Sequence, residues 1–413
     1  MSDSEADRKV TPAWIAAAIL LLAALGGAIA VGTWPLGASG AGEPTEPRLI
    51  EPVDDGTLLW PYTAKSKRHG ARTLAINLVI RGDSETVREA ILNRSGPTWT
   101  ETPPEKEGAE AETFAAEIAV DNGTGGTAEL VFWSPARGST RYAYVFDEGT
   151  GRWLTESYQI HDGTYFGRRT HVRAYEDPQG EWTAMQAHDE YWDWFRLRHT
   201  VTGVASAQRT VERDFMDAPF VDEVVRHPYH HGAPGGRNWV TVVHFSLLVA
   251  PGLVALRFDR ARTVTGRGLD RYGRELGLGL ALFALYLGVR WLGIGIEQMW
   301  PTADPHHVAA PVYLLLVLGI PTLAAVLARG ADPGGAFTGA VAWLGGAFVV
   351  DAVAMQVSAL PLRFVLHRTA VLLAVGLIAY GGALATDRDR TLPLIVGLVG
   401  WAVVLVPPAL GYL

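Results

Sequence analysis

The stretch that decides how this chain is read runs from His161 to Gly203, HDGTYFGRRTHVRAYEDPQGEWTAMQAHDEYWDWFRLRHTVTG. Polar and apolar residues alternate on both sides of Asp177-Pro178-Gln179-Gly180, a run with the composition of a tight turn. The segment therefore predicts a β-hairpin of strands 168–176 and 182–190. Counting outward from the turn pairs Glu176 with Glu181, Tyr175 with Trp182, Arg173 with Ala184, His171 with Gln186 and Arg169 with His188. Opposed residues share a sheet face. One face would then present Arg169, His171, Arg173, Gln186 and His188 together, whereas Val172, Ala174, Thr183, Met185 and Ala187 on the other have the composition of core.

Arginine forks beside imidazoles suit a phosphate or carboxylate. The same residues admit a metal reading through His171, His188 and Asp189, but strand alternation turns Asp189 to the face opposite His188. A solvated face with arginine–glutamate pairs is the plain alternative. The expectation adopted is a small or polymeric anionic ligand, with no metal and no cofactor. His199, grouped with Phe195, Leu197 and Val201, reads as a hydrogen-bonded core histidine.

Around the hairpin the chain has the pattern of an α+β domain with a mostly antiparallel sheet. Residues 37–47 form a Pro/Gly-rich linker, Leu74 to Ile80 a buried strand, and the following helix is capped by Asp83 or Ser84 with Val87, Ala90 and Ile91 as its apolar face. Further strands are expected near 127–134, 140–147, 152–160 and 194–202, with helices near 206–217 and 219–226.

Across all 413 residues the hydrophobic share is 48% and the mean hydropathy +0.13, with the excess in residues 14–31 and after Trp239. This is a membrane protein's distribution. Seven apolar runs, near 14–31, 239–256, 275–298, 309–328, 336–357, 368–385 and 392–410, are each long enough to cross about 30 Å of hydrocarbon. The expected architecture is a multi-pass α-helical membrane protein of about seven spans. It comprises a tail at 1–11, a signal-anchor helix at 12–34, the α+β domain at 35–238 and a six-helix membrane domain at 239–413.

Arg257, Arg260, Arg262, Arg267, Arg271 and Arg274 against Asp259 and Asp270 place the loop after the second run in the cytoplasm. With seven spans the amino terminus is then cytoplasmic and the domain extracytoplasmic, in the cell membrane. Arg363, His367 and Arg368 fall on the outer side and fit this topology least well. From 35 to 238 there are 21 Lys+Arg against 31 Asp+Glu, or −10, and the remainder of the net −8 is +2. An acidic domain excludes nucleic acid as the partner, and the absence of cysteine excludes disulfides and thiolate chemistry.

Within the runs Arg290, Glu297, Asp351 and His244 are ionisable, and Arg290 and Asp351 are the intramembrane candidates, for function or for pairing with each other. All four lysines lie at or before Lys106, so a retinal Schiff base is ruled out. His227, His230 and His231 in HPYHHGAPGG read as a linker rather than a metal site.

Three segments resemble the LssY carboxyl-terminal-domain-like family: INLVIRGDSETVREAILNRSGPTW (Ile76 to Trp99), GRRTHVRAY (Gly167 to Tyr175) with Trp182 and His188-Asp189, and His199-Thr200-Val201 with Val211-Glu212-Arg213-Asp214. The likeness covers about 74–226. It departs at Thr170, where the family has a histidine, and at Ser206-Ala207-Gln208, where it has acidic residues. The resemblance implies an α+β domain joined to membrane helices and marks Arg169, His171, Arg173, His188 and Arg213 as shared positions, with no reaction attached. The chain contains no Pro-Ser-Gly-His stretch, so lipid-phosphate phosphatase activity is not implied. Two alternatives to anion binding stay open: an envelope-associated hydrolase using the His/Arg hairpin, and a transporter or channel component using Asp351 and Arg290.

Overall fold

The computed structural model describes residues 12–33, 49–53, 55–94, 99–101, 113–114, 141–216, 221–228, 239–245, 269–357, 362–385 and 391–409. In chain order these form α1 (Pro12–Thr33), β1 (Leu58–Leu59), β2 (Tyr62–Ala64), β3 (Arg72–Ala75), β4 (Leu78–Arg81), α2 (Ser84–Arg94), β5 (Thr100–Glu101), β6 (Thr113–Phe114) and β7 (Tyr142–Asp147). There follow β8 (Thr150–Thr155), β9 (Tyr158–Gly163), β10 (Arg168–Glu176), β11 (Trp182–Asp193), β12 (Arg198–Gly203), α3 (Ala205–Met216), β13 (Val221–Pro228) and β14 (Trp239–Phe245). Last come α4 (Leu269–Met299), α5 (Pro305–Leu327), α6 (Pro333–Ala354), α7 (Leu362–Leu384) and α8 (Leu392–Ala409). Two compact units result: the helices α1 and α4 to α8, and the α+β region between them.

The α+β unit has three layers. A small sheet of β1, β7, β2, β3 and β8 covers one face of a larger sheet ordered β13-β14-β4-β11-β10-β9-β5, with β12 paired to β11 and β6 to β12. Helices α2 and α3 cover the other face. Strand alternation decides which side chain enters which layer. Val79, Tyr175, Trp182, Ala184, Val240 and Val242 pack against Leu59, Trp60, Tyr62 and Val145 between the sheets. Leu78, Ile80, Val172, Ala174, Met185, Ala187 and Val243 instead pack against Val87 and Ile91 of α2 and Val211 and Phe215 of α3. Asp83 caps α2, its Oδ1 accepting from the Thr86 N–H at 2.9 Å, and these hydrogen bonds hold its carboxyl below the usual range.

Three expectations are corrected. Residues 239–245, read as the start of a membrane span containing His244, form β14 instead, antiparallel to β13 and parallel to β4. Trp-Val-Thr-Val-Val is β-branched and suits a buried strand as well as a span, and pairing satisfies its backbone. The six-helix block expected at 239–413 therefore contains five helices among the described residues. The helix expected near 219–226 is not formed by its described residues, which belong to β13, where Val221, Val224 and Val225 meet β14. The buried strand expected at 74–80 is two strands, β3 and β4, with Ile76 and Asn77 between them as the chain passes from one sheet to the other. The strand expected near 127–134, and His230 and His231, lie outside the described residues.

In the helical unit, α4 to α8 are each long and apolar enough to cross a membrane. Helix α1 packs mainly on α7. Close approach of α7 and α8 depends on Gly381, where an added Cβ would lie 2.2 Å from the Leu394 backbone nitrogen. His367 donates from Nε2 to the Val404 carbonyl at 2.8 Å, and Trp401 to the Val317 carbonyl at 3.0 Å, tying α7 to α8 and α8 to α5.

Candidate functional site

The hairpin forms with 168–176 as expected, but its register differs by two residues: Glu176 faces Thr183, Arg173 faces Gln186, His171 faces His188 and Arg169 faces Glu190. The turn explains the difference. The Asp177 N–H donates to the Trp182 carbonyl at 2.9 Å, so Pro178 to Glu181 form the loop, and the Asp177 Oδ2 accepts from the Gln179 N–H at 3.0 Å. A shift of two preserves the faces, whereas a shift of one would have exchanged them. Arg169, His171, Arg173, Gln186 and His188 accordingly share one face, joined by Glu190.

That face is not solvated. Arg169 is 3% exposed, His171, Arg173, Gln186 and Glu190 are 1% exposed, and His188 is fully buried. Buried charge needs compensation, and carboxylates of the chain supply it. Arg169 donates from Nε to Glu190 Oε1 at 2.5 Å, and Arg173 from NH1 to Glu156 Oε1 at 2.8 Å. On the opposite face Asp189 binds Arg168 at 2.9 Å and accepts from the Thr170 hydroxyl at 2.7 Å, as its strand parity requires.

The imidazoles are oriented from outside by glutamines. Gln159 Nε2 donates to Glu156, which turns Gln159 Oε1 toward His171 Nε2 at 3.0 Å. His188 Nδ1 lies 3.0 Å from Gln186 Oε1, and its Nε2 lies 3.2 Å from Glu190 Oε2. The two rings meet edge to face with centroids 5.0 Å apart. Burial, reinforced by Arg173, His188 and Arg169, holds His171 well below its ordinary pKa, against the pull of Glu190. For Glu190 burial acts upward, yet Arg169 and the neighbouring histidines hold it well below the usual carboxylate range. Both imidazoles thus approach the one carboxylate, His188 Nε2 at 3.2 Å and His171 Nδ1 at 3.9 Å. His199 is a hydrogen-bonded core residue: its Nε2 donates to the Tyr165 carbonyl at 2.9 Å, and Arg169 NH2 approaches its Nδ1 at 3.4 Å.

Asn77 sets the depth of the centre. Strand β11 pairs with β4 up to Met185 and with β12 from Asp189, and Asn77 fills the interval. Its side chain imitates a peptide group, Nδ2 donating to the Ala187 carbonyl at 2.9 Å and Oδ1 accepting from the Ala187 N–H at 2.8 Å. Sequence reasoning missed Asn77, Glu156, Gln159 and Glu190. A polar amide inside the apolar run Leu74 to Ile80 was the available signal for the first, and the true register the signal for Glu190.

The intramembrane candidates meet each other. Arg290 on α4 donates from Nε and NH2 to the two carboxylate oxygens of Asp351 on α6, both at 2.8 Å, and the Tyr286 hydroxyl adds 3.1 Å. Both charged groups are buried, which gives the pair a structural account. Glu297 is half-buried farther along α4.

Comparison with known proteins finds no matching family, no matching curated protein and no matching solved structure, so the likeness to the LssY carboxyl-terminal-domain-like family rests on the quoted residues alone.

Proposed function

We propose that this is a membrane-embedded binding protein whose α+β unit holds a small anion at the buried centre of Arg169, His171, Arg173, Gln186 and His188. One observation carries the reading: Gln186 Nε2 is a buried donor without a hydrogen-bond acceptor among the described residues, between the cross-strand neighbour Arg173 and His188. Leaving such a donor unmet costs about 1–3 kcal/mol, and an anionic oxygen would offset that cost. Arg169 and Arg173 already hold Glu190 and Glu156, so the ligand adds to these pairs rather than replacing them. Phosphate is the probe. Saturating phosphate at about 100 times its Kd should stabilise the detergent-solubilised protein by about 2.7 kcal/mol, and Gln186→Met, measured against its own ligand-free baseline because it also removes the hydrogen bond to His188 Nδ1, should abolish the shift. Equal shifts in both proteins would refute the site.

The strand at 239–245 also bears on sidedness. It leaves 246–256 as the remainder of the apolar run, and these 11 residues would reach about 16 Å as a helix, roughly half the hydrocarbon thickness. Residues 35–245 would then share a side with the arginine-rich stretch 257–274, which the positive-inside rule assigns to the cytoplasm. Arg329, Arg388 and Arg390 fall on that side as well. The proposal is therefore six spans, α1 and α4 to α8, in a cell membrane, with the α+β unit cytoplasmic rather than extracytoplasmic.

A further inference from the structure

His171, His188 and Glu190 offer three ligand atoms that all lie within 4.8 Å of one another in a buried setting. Their surroundings select which atoms these are. Gln159 Oε1 takes the Nε2–H of His171, which in a neutral ring leaves the lone pair on Nδ1, 3.9 Å from Glu190 Oε1. Gln186 Oε1 lies 3.0 Å from His188 Nδ1, and in the tautomer protonated at Nδ1 the lone pair falls on Nε2, 3.2 Å from Glu190 Oε2. In that tautomer two imidazole lone pairs are turned onto one carboxylate. Three Lewis bases at this spacing repel one another unless a cation stands between them.

We infer that His171 Nδ1, His188 Nε2 and Glu190 Oε2 bind a divalent first-row transition metal ion, leaving open coordination positions for an exogenous anion. The chemistry of the set supports this in three ways. Two histidines and a glutamate are a recurrent ligand combination for zinc and for non-haem iron(II). Ligand atoms about 2.1 Å from a tetrahedral ion sit about 3.4 Å apart; His188 Nε2 and Glu190 Oε2 are already 3.2 Å apart, and with one ligand atom from each residue all three lie within 4.8 Å of one another, so side-chain adjustment alone would close the set. The outer partners are those a metal site uses: each imidazole gives its second N–H to an amide carbonyl, and Arg169 holds the other oxygen of Glu190.

A single proton on His188 Nε2 is the competing occupant, since an imidazolium would also bridge to Glu190. The ion and the proton predict different measurements, because metal binding displaces the proton. The inference deepens the anion-binding reading of the same centre. A divalent ion with Arg169 against the one charge of Glu190 leaves net positive charge in a buried place, and an anion in an open position would balance it.

The test uses the full-length protein, purified without chelators or a histidine tag, with His230 and His231 replaced by Asn. Elemental analysis should find about one transition-metal ion per chain, and X-ray absorption at its edge should show imidazole scattering. Cobalt(II) added to metal-stripped protein should give visible d–d bands of a low-coordinate nitrogen–oxygen site, and Glu190→Gln should lose them. If Glu190→Gln fails to fold, the wild-type absorption spectrum still decides. Protein that takes up no cobalt, or takes it up without imidazole ligands, overturns the inference. Phosphate separates the two proposals: stabilisation of the metal-free protein with no cobalt uptake leaves anion binding standing alone. Cobalt bands that phosphate does not perturb leave the metal site standing alone.

Discussion

Asn77→Ala removes two hydrogen bonds that no neighbouring strand can replace. Ala187 lies in the gap between β4 and β12, and its N–H and carbonyl are met by the Asn77 side chain at 2.8 Å and 2.9 Å. Both groups are buried, and each orphaned backbone group costs about 1–3 kcal/mol. The substitution should therefore destabilise the α+β unit by about 2–6 kcal/mol. Because Ala187 precedes His188, the lost clasp should also loosen the polar centre. Asn77→Asp sharpens the test: the carboxylate keeps an acceptor for the Ala187 N–H but places a second oxygen against the Ala187 carbonyl. Protonation restores a donor there, so the folded-state pKa of the new group lies above its unfolded value. Its contribution is therefore present at low pH and lost as pH rises through the folded-state pKa. Urea unfolding in micelles, followed by β-sheet circular dichroism across pH 4 to 8, reads both effects. A cost below about 0.5 kcal/mol for Asn77→Ala, or a pH-independent penalty for Asn77→Asp, would refute the clasp.

Three other predictions concern separate parts of the chain. Asp351→Leu leaves the Arg290 charge buried and should cost about 3–5 kcal/mol in detergent-titrated unfolding, whereas Arg290→Met with Asp351→Leu should cost less than either single change; additive costs would argue against a structural pair. Asp214, pushed up to about 7 by burial and by Asp162 with Arg213 opposing, contributes stability at low pH that is lost as pH rises toward and through 7. Asp214→Asn should therefore flatten the decline between pH 4 and 7, and parallel pH profiles for the two proteins would count against it. The chain contains no cysteine, so single cysteines at Glu148, in the β7–β8 turn, and at Arg267 can be labelled in sealed cells without background. Both should resist a membrane-impermeant maleimide until lysis, and labelling of the first alone would restore the extracytoplasmic assignment.

Much of the α+β layer is legible because period-two patterning survives errors of register. The five hairpin residues come together despite the two-residue difference, since parity alone decides the face. Their burial was not legible. Arginine and histidine on a strand read as solvated, and only Glu156 and Glu190, brought from other positions along the sheet, make enclosure tolerable. Apolar strands and apolar spans also look alike over short lengths, which is why Trp239 to Phe245 reads as membrane in the sequence. The decisive facts there are non-local: β13 and β4 supply the partners that make the run a strand. In the helical unit, by contrast, length and hydropathy delimit α4 to α8 with little help from context. The Arg290–Asp351 pair was foreseeable as one of two readings, and the contact between α4 and α6 selects it.

The claim at the centre of this account is that the buried face of β10 and β11 holds a ligand. Native mass spectrometry of the intact chain, released directly from its own membrane, tests this most directly. Wild-type protein should carry an adduct with the mass of a small anion, a metal ion or both; Gln186→Met should shed the anion, and Glu190→Gln, where it folds, the metal ion. A bare chain mass in the wild type, or an adduct that both variants retain, would contradict the claim.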